Sequence, residues 1–258
     1  MNVSEGRDQR VLAALTDAAG TDLLDVHVDP HHHRAVLTLV GEEAPRRVAA
    51  VAVDRIDLRT HEGVHPRIGA LDVVPFVALD GATPADAVDA RDRFCAWAGS
   101  ALALPCFRYG DERSLPDVRR GAFTTLAPDC GPAAPHPSAG ACAVGARPVL
   151  VAWNVWLAEA DLDAARRAAA AVRGDGIRAL GLRVGDRVQV SMNLLDPLRV
   201  GPADAWARVA AHVELAGAEL VGLVPAAVLE RTSAERWSQL DLAPDRTVEA
   251  RLAARGGG

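Results

Sequence analysis

A run of thirteen residues, Thr60 to Asp72, constrains the chain more than any other stretch. It contains two histidines, one arginine and two acidic residues, together with two glycines and a proline. An apolar run, Leu71 to Leu79, follows and is interrupted only by Asp72 and Pro75. A polar segment rich in Gly and Pro is unsuited to a helix, so we predict a loop that leads into a buried strand. A polar loop beside a rigid strand is a typical place for a catalytic site.

Two other interpretations of this run have to be weighed. Residues 61–65 fit the H-E-x-x-H zinc pattern, which needs both histidines on one face of a helix. Gly63 weakens such a helix and Pro66 disfavours helical geometry at the residue before it, so the zinc site is disfavoured. Alternatively, Arg67 and Asp72 form an ion pair that braces a turn while the histidines are solvated. The residues alone support this ion pair about as well as catalysis.

Composition narrows the class of protein. With 258 residues, of which 50% are hydrophobic, the chain can form one large or two compact globular domains. All 28 basic residues are arginine, which excludes Schiff-base and P-loop lysines. A net charge of -6 argues against a nucleic-acid partner. We find neither a signal peptide nor an apolar run of membrane-spanning length, and therefore expect a cytoplasmic protein.

The four cysteines have no C-x-x-C spacing, and we expect buried, unreactive thiols. Three adjacent histidines lie in the segment 29–34, but consecutive residues on a strand alternate between faces and cannot all reach one metal ion. We therefore predict a polar turn there. Capping and proline signals at Thr83-Pro84-Ala85-Asp86 predict the start of a helix.

Hydrophobic spacing and turn residues predict an alternation of helices and strands. Helices are expected at residues 7–19, 43–56, 83–102, 114–121, 162–172, 202–216 and 225–230, and strands at 23–28, 35–40, 71–79, 104–109, 149–155, 177–184, 188–194 and 219–224. The order after residue 149, β-α-β-β-α-β, is the ferredoxin-like order.

Residues 61–76 resemble the formiminotransferase domain of the folate enzyme glutamate formiminotransferase. The signature of that family is H-x-G-x-H-P-R-M-G-A-L-D-V-x-P-F, and in this chain only the methionine differs, as Ile68. The resemblance covers nearly the whole chain. Further pieces that resemble the family are S-L-P-D-V-R-R-G at 114–121, D-C-G-P at 129–132, P-S-A-G-A at 137–141, G-A-R at 145–147, Q-V-S-M-N-L at 189–194 and G-L-V-P at 222–225.

For the fold, the resemblance implies an α/β (α+β) protein of two subdomains, residues 1–147 and 148–258. Both would be of ferredoxin-like type, each with a mixed sheet, and the sheets would face each other across a ligand cleft. Family members begin with a strand before a turn similar to residues 2–6. We expect this strand to be lost here, or to lie upstream of Met1.

For the site, the resemblance implies that His65, directly before Pro-Arg, is the general acid and base. Asp72 or another nearby acid is expected to orient it, and Arg67 or Arg147 to hold a substrate carboxylate through a bidentate pair. Residues expected to bind the folate are Gly131, Pro132, Pro137, Ser138, Gly140, Asn154 and Asn193. Residues expected to contact the substrate are Asp25, His27, Arg34, Arg147 and Gln189. Ala139 stands where the family often has tryptophan, so we expect weakened folate binding that an Ala139→Trp change would partly restore.

The implied activity is transfer of a formimidoyl group between an amino acid, normally glutamate, and tetrahydrofolate, without a metal. Ala139, Trp156 and His27 differ from the family and leave two alternatives. One is formimidoyl or formyl transfer to another amine, such as glycine or a natural-product precursor; the other is a folate-binding homologue without catalysis. The expected partners are these small molecules, with no nucleic acid and no membrane. We expect a homodimer, although the sequence does not set the oligomeric state.

Overall fold

The computed structural model describes residues 1–63, 66–79 and 81–255. The chain divides into two compact units, Met1–Pro148 and Val149–Gly258. Within the described residues, no helix combines the length and the apolar character needed to cross a membrane.

The first unit contains a mixed six-stranded sheet in the order β2-β3-β1-β4-β6-β5. Strand β1 is antiparallel to both β3 and β4, whereas β4, β6 and β5 run parallel to one another. The elements are β1 Asn2–Val3, α1 Gln9–Ala19, β2 Leu23–Asp29, β3 Arg34–Leu39, α2 Glu43–Arg55, β4 Leu71–Phe76, α3 Pro84–Ala101, β5 Cys106–Tyr109, α4 Leu115–Gly121 and β6 Cys142–Ala146.

Two strands of this sheet differ from the expectation. The strand expected to be lost is present in part, because Asn2 pairs with Val36 on one side and Val73 on the other. The sequence pattern predicts no element at residues 142–146, yet they form β6, whose five residues are all buried. Alanines and a glycine give this strand a weak β propensity, and burial between two parallel neighbours stabilises it instead.

Local sequence signals explain where the helices begin. Helix α3 starts with the predicted capping box, in which Thr83 and Asp86 bond each other's backbone N–H groups. Helix α4 has the same arrangement between Ser114 and Asp117. Residues of α1, α2 and α3 pack on one face of the sheet, with Phe94 among the most buried. Val118 of α4 packs in a smaller cluster with residues of β4, β5 and β6.

The second unit contains a four-stranded sheet in the order β10-β7-β9-β8. This is the predicted ferredoxin-like order, but every neighbouring pair is antiparallel, so the expectation of a mixed sheet is wrong for this unit. Each helix connects two parallel strands that have another strand between them. All neighbouring strands are therefore antiparallel. The elements are β7 Val151–Leu157, α5 Leu162–Val172, β8 Ile177–Val184, β9 Arg187–Leu194, α6 Pro202–Ala210, β10 Leu215–Val221, α7 Ala226–Glu230 and α8 Val248–Arg255.

The core of the second unit is built around Trp153. Its ring is completely buried, and its Nε1 donates a hydrogen bond to the carbonyl of Leu240 at 2.9 Å. Helix α6 ends at Ala210, earlier than the apolar spacing predicted, because the next apolar residues begin β10 at Leu215.

Candidate active site

The described part of the polar run between α2 and β4 is a loop, as predicted. Residues 61–63, 66 and 67 have no regular secondary structure. The helix that an H-E-x-x-H zinc site requires is therefore missing at residues 61–63. His65, the expected general acid and base, lies outside the described residues, as does Val64. In the described ranges, no three His, Cys, Asp or Glu side chains form a group that could hold a metal ion.

The side chain of Arg67 forms two hydrogen bonds to the backbone of this loop. Its guanidinium donates from Nη2 to the carbonyl of His61 at 2.9 Å and from Nη1 to the carbonyl of Gly63 at 3.1 Å. These two bonds fix the position of a positive charge two residues after His65.

The ion pair that the structure describes for Asp72 involves Arg119 of α4. Nη2 of Arg119 lies 2.5 Å from Oδ2 of Asp72, while Oδ1 accepts a hydrogen bond from the backbone N–H of Ile68 at 2.8 Å. Asp72 is only 2% exposed, and this burial raises its pKa against the opposing effect of Arg119. Arg119 also donates to the carbonyl of Pro66. One guanidinium thus ties the residue that follows His65 to the start of β4.

Glu5 organises the turn between β1 and α1. Its Oε1 accepts hydrogen bonds from the backbone N–H groups of Gly6, Arg7 and Asp8 at 2.8, 2.8 and 3.0 Å. Arg7 then reaches the carbonyl of Pro30 at 2.8 Å. The residues around this carboxylate therefore hold the segment 29–34 close to the N-terminal turn.

His33 and His61 form a tilted ring pair next to Glu5. Their ring centroids are 4.0 Å apart, and Nδ1 of His33 lies 3.3 Å from Oε1 of Glu5. Burial lowers the pKa of both histidines, and the charge of Arg67 lowers both further. Both ring nitrogens of His61 are buried without a hydrogen-bond partner among the described residues.

The predicted polar turn at residues 29–34 is confirmed. His32 is 5% exposed and bonds Asp29 through both its backbone N–H and its ring Nδ1. Register places Arg34 opposite Asp29, and His27 and Asp25 follow on the same face of β2. Arg34 therefore lies on the same sheet face as His27 and Asp25, which are also expected to contact the substrate.

A small cleft lies where these segments meet. It is a shallow depression with about 170 Å³ of empty space, part of which is open solvent, and it is therefore not an enclosed ligand pocket. Two guanidinium groups and two imidazoles lie beside one carboxylate that is already paired, so the cleft favours a small anionic group such as a carboxylate. Its lining residues are Ser4, His32, His33, Arg34, Arg67 and Asp72.

Residues 131–140, which include most of the residues expected to bind the folate, form a loop. Part of this loop lies against the loop that precedes β4. The carbonyl of Ser138 accepts a hydrogen bond from the N–H of Leu58 at 2.8 Å, and Gly140 bridges to Gly69. Pro132 and Pro137 are exposed. Gly131, at the other end, packs against the α3 backbone at Gly99, where a Cβ would lie 2.6 Å from the nitrogen of Gly131.

Ala139 lies in the core of the first unit, and its expected effect on folate binding stays a prediction. Its side chain is completely buried in the core of the first unit, and its carbonyl accepts from the N–H of Ala70 at 2.9 Å. A tryptophan at this position would have to displace core side chains. His136, which has no recognisable sequence signal, holds the segment because its Nδ1 accepts a hydrogen bond from the N–H of Ala139 at 3.0 Å.

The remaining expected residues lie elsewhere. Arg147 follows β6, and its Nη1 donates to the carbonyl of Pro148 at 2.9 Å. In the second unit, Asn154 donates to Glu219 at 3.0 Å. Gln189 and Asn193 lie on the same face of the sheet as Asn154. Gln189 is 2% exposed, and its Oε1 has no partner within the described chain. Convergence of these residues with the loops of the first unit remains a prediction.

Comparison with known proteins gives a consistent picture. Residues 1–147 match the formiminotransferase domain, N-terminal subdomain. The chain is 34% identical over 264 residues to a glutamate formimidoyltransferase of Streptococcus pyogenes serotype M1, covering 88% of each chain. It is 31% identical over 262 residues to a glutamate formimidoyltransferase of Thermoplasma acidophilum, covering 87% of this chain and 86% of the relative. A formimidoyltransferase-cyclodeaminase of Sus scrofa is 34% identical over 266 residues, and there the match spans 87% of this chain but 49% of the relative.

Proposed function

Because this chain belongs to the formiminotransferase family, we propose that it transfers a formimidoyl group between glutamate and tetrahydrofolate. Relatives named glutamate formimidoyltransferase cover this chain and their own length almost completely, which supports the same activity here. Tetrahydrofolate is then a co-substrate, and the protein is a transferase of one-carbon groups.

In this reaction, the nitrogen of one substrate attacks the amidine carbon of the other and forms a tetrahedral intermediate. The attacking nitrogen loses a proton and the departing amine gains one. An imidazole with a pKa near neutrality can serve in both steps, and His65 is the residue we assign to this role. The bonds of Arg119 to Asp72 and to the carbonyl of Pro66 support the loop that carries it.

The observation that carries the proposal is the cleft beside this loop. Arg34 and Arg67 line it, and guanidinium groups bind carboxylates through paired hydrogen bonds. A glutamate derivative carries two carboxylates, and either could pair with these guanidinium groups. Among the candidate donors, the cleft therefore favours an acidic amino acid over an uncharged amine.

For the folate, we propose the residues that the family pattern implies. Ser138 and Gly140 lie in the loop segment that pairs with residues 58 and 69. This pairing supports a position for the two residues beside the transferred group. Asn154 and Asn193 share one face of the second sheet and would supply polar contacts there. The apolar walls would come from Pro132 and Pro137, which are exposed.

The experiment is a transfer assay with purified protein, formimidoylglutamate and tetrahydrofolate, in which mass spectrometry follows formimidoyl-tetrahydrofolate. Parallel reactions replace the donor with formimidoylglycine or formylglutamate. We expect turnover with formimidoylglutamate to be the fastest. Faster turnover with either other donor would favour the alternative substrates, and folate binding without turnover would identify a non-catalytic homologue.

The same assay tests the role of His65. Replacing it with alanine should lower turnover by roughly two to four orders of magnitude, the usual contribution of general acid–base catalysis. His212→Ala is the matched control, because that histidine is exposed in the second unit. His61→Ala should have a smaller effect than His65→Ala. An active His65→Ala protein would contradict the assignment, and loss in both variants that added zinc reverses would revive the metal site.

A further inference from the structure

The N-terminal turn packs closely against the turn at residues 29–34. A Cβ on Gly6 would lie 2.8 Å from the backbone nitrogen of Arg34, so the approach requires a residue without a side chain. Oε1 of Glu5 accepts a hydrogen bond from the N–H of Arg7 at 2.8 Å and fixes the backbone there. Arg7 is therefore held beside the turn that carries Arg34 into the cleft.

The guanidinium of Arg7 connects this turn to the loop that precedes β4. Its Nε donates to the carbonyl of Pro30 in the turn at 2.8 Å, and its Nη1 donates to the carbonyl of Glu62 in the loop at 3.3 Å. The carbonyls of the residues before and after Glu62 accept hydrogen bonds from Arg67 instead. Three consecutive carbonyls of the loop therefore bond the two guanidinium groups in alternation.

The backbones of the loop and the turn also lie close to each other. A Cβ on Gly63 would lie 3.0 Å from the carbonyl oxygen of His32 and 3.0 Å from the Cβ of His33. The φ angle of His33 is 52°, in the left-handed region, and such a conformation persists where the surrounding contacts determine it. The turn therefore depends on contacts from neighbouring segments, and Arg7 supplies one of them.

The separation of the two segments matters because each carries one guanidinium of the proposed carboxylate site. Arg34 ends the turn, Arg67 belongs to the loop, and both line the cleft. Like charges repel, and two guanidinium groups hold one carboxylate only where their spacing suits its two oxygens. Arg7 bonds neutral carbonyls, so it can hold the segments together without neutralising either guanidinium.

We infer that Arg7 is a positioning residue, which sets the spacing between Arg34 and Arg67 and thereby the affinity for the acidic donor. The inference rests on the proposed function. Arg7 acts through the turn and the loop and not on the reacting atoms, so its loss should weaken donor binding more than it slows the chemical step. The residues expected to bind the folate lie outside both segments, and the KM for tetrahydrofolate should therefore stay unchanged.

The first test compares Arg7→Met and Arg10→Met in the assay described above. Arg10 is exposed at the start of α1, and its side chain forms no hydrogen bond or ion pair among the described residues. We expect KM for formimidoylglutamate to rise about tenfold in Arg7→Met, with kcat and KM for tetrahydrofolate changed less than about threefold. Because Arg7 is exposed, its thermal unfolding midpoint should stay within about 2 °C of the wild type. Equal donor KM values in the two variants, or a lower kcat at unchanged KM, would overturn the inference.

Salt separates the effect of position from the effect of charge. Arg7→Met also removes a positive charge near an anionic ligand, and that effect alone should disappear in about 1 M NaCl, where the Debye length is about 3 Å. The ratio of donor KM values between Arg7→Met and wild type should persist in this salt. A ratio that falls to one would show that Arg7 acts only through its charge, and the inference would be wrong.

The second test changes the spacing and leaves every charge in place. In Gly63→Ala, the new methyl group would push the loop away from His32 and His33 by a few tenths of an ångström, so KM for the donor should rise here as well. Gly217→Ala is the control, because no atom lies within 4 Å of the added Cβ. An unchanged donor KM in Gly63→Ala would contradict a carboxylate site that depends on this spacing.

Calorimetric titration with glutamate tests the inference without turnover. We expect Arg7→Met to bind glutamate about tenfold more weakly than the wild type, and Arg10→Met to bind it equally well. If this difference is found but the wild-type protein transfers no formimidoyl group, the proposed function is wrong and the role of Arg7 stands. If transfer occurs and all three proteins bind glutamate equally, only this inference is wrong.

Discussion

The guanidinium of Arg119 lies 2.5 Å from the carboxylate of Asp72, which is 2% exposed. The two residues are 47 positions apart in the chain, and the same guanidinium also bonds the carbonyl of Pro66. The pair therefore does more than brace a turn, because it connects helix α4, strand β4 and the loop that carries His65.

Arg119→Met should reduce both stability and activity. Asp72 would remain buried without its ion-pair partner, and breaking a buried pair in this way costs about 3 kcal/mol or more. Arg119→Lys should recover much of this loss, since an ammonium can pair with Asp72. It should recover less activity, because one ammonium group is poorly suited to bond both Asp72 and the carbonyl of Pro66, as the planar guanidinium does.

The measurement combines urea unfolding, followed by circular dichroism, with kcat. Arg120→Met is the matched control, since Arg120 is exposed on the same helix and pairs with Asp117. If Arg119→Lys restores kcat as fully as it restores stability, Arg119 contributes only to folding and not to the geometry of the loop.

Asp29 should make stability depend on acid pH. Burial raises its pKa, but hydrogen bonds from the side chain and backbone of His32 outweigh this effect and lower the pKa to about 2 from 3.8. A carboxylate whose pKa is depressed in the folded state stabilises the protein above its ordinary pKa, and this contribution is lost as the pH falls through the folded value. The contribution should be about 2 kcal/mol near neutral pH.

This dependence can be measured as the difference in unfolding free energy between wild type and Asp29→Asn. We expect the difference to be largest above about pH 4 and to shrink steadily as the pH falls toward 2. A difference that stays constant over this range would show that the charge of Asp29 does not stabilise the fold.

Ala139→Trp should destabilise the first unit rather than improve folate binding. The side chain is completely buried, and inserting extra atoms into a packed core typically costs about 1–3 kcal/mol. Ala134→Trp is the control, because Ala134 is exposed in the same loop. Thermal unfolding and calorimetric titration with folinate would separate the two effects. Tighter folate binding at unchanged stability would show that the side chain at position 139 faces the ligand.

Gly69→Ala should be among the most damaging single-methyl substitutions in this chain. A Cβ at this position would lie 1.8 Å from the carbonyl oxygen of Ala141, so the two loops would have to separate. Gly217→Ala adds the same methyl group where no atom lies within 4 Å. We expect Gly69→Ala to lose roughly 3 kcal/mol or more, or to fail to fold, and Gly217→Ala to unfold like the wild type. Equal stability of the two would contradict the close approach.

The sequence predicted the elements whose signals are local. Capping residues located the start of α3, and α4 lies within the helix predicted at residues 114–121. The polar loop between α2 and β4 was equally clear, because glycine and proline exclude a helix there whatever the rest of the chain does.

What the sequence did not reveal depends on partners distant in the chain. Arg119 stood in a recognisable helical piece, but its role requires Asp72, which only the packing of α4 beside β4 provides. Ala139 looked like a missing ring contact, because a small apolar residue in a loop gives no sign of which side it faces. Similarly, the contact between His33 and Glu5 joins a turn to the N-terminal segment, and neither carries a periodic signal.

The buried Trp153 lies in the second unit, and intrinsic fluorescence therefore reports mainly on that unit. Four of the five tryptophans, Trp153, Trp156, Trp206 and Trp237, lie after residue 149, and Trp97 alone lies before it. The emission spectrum is therefore dominated by the second unit, whereas the loops of the candidate site belong to the first. A substitution could unfold the first unit and change the emission little, so fluorescence melting curves would overestimate the tolerance of the site to mutation.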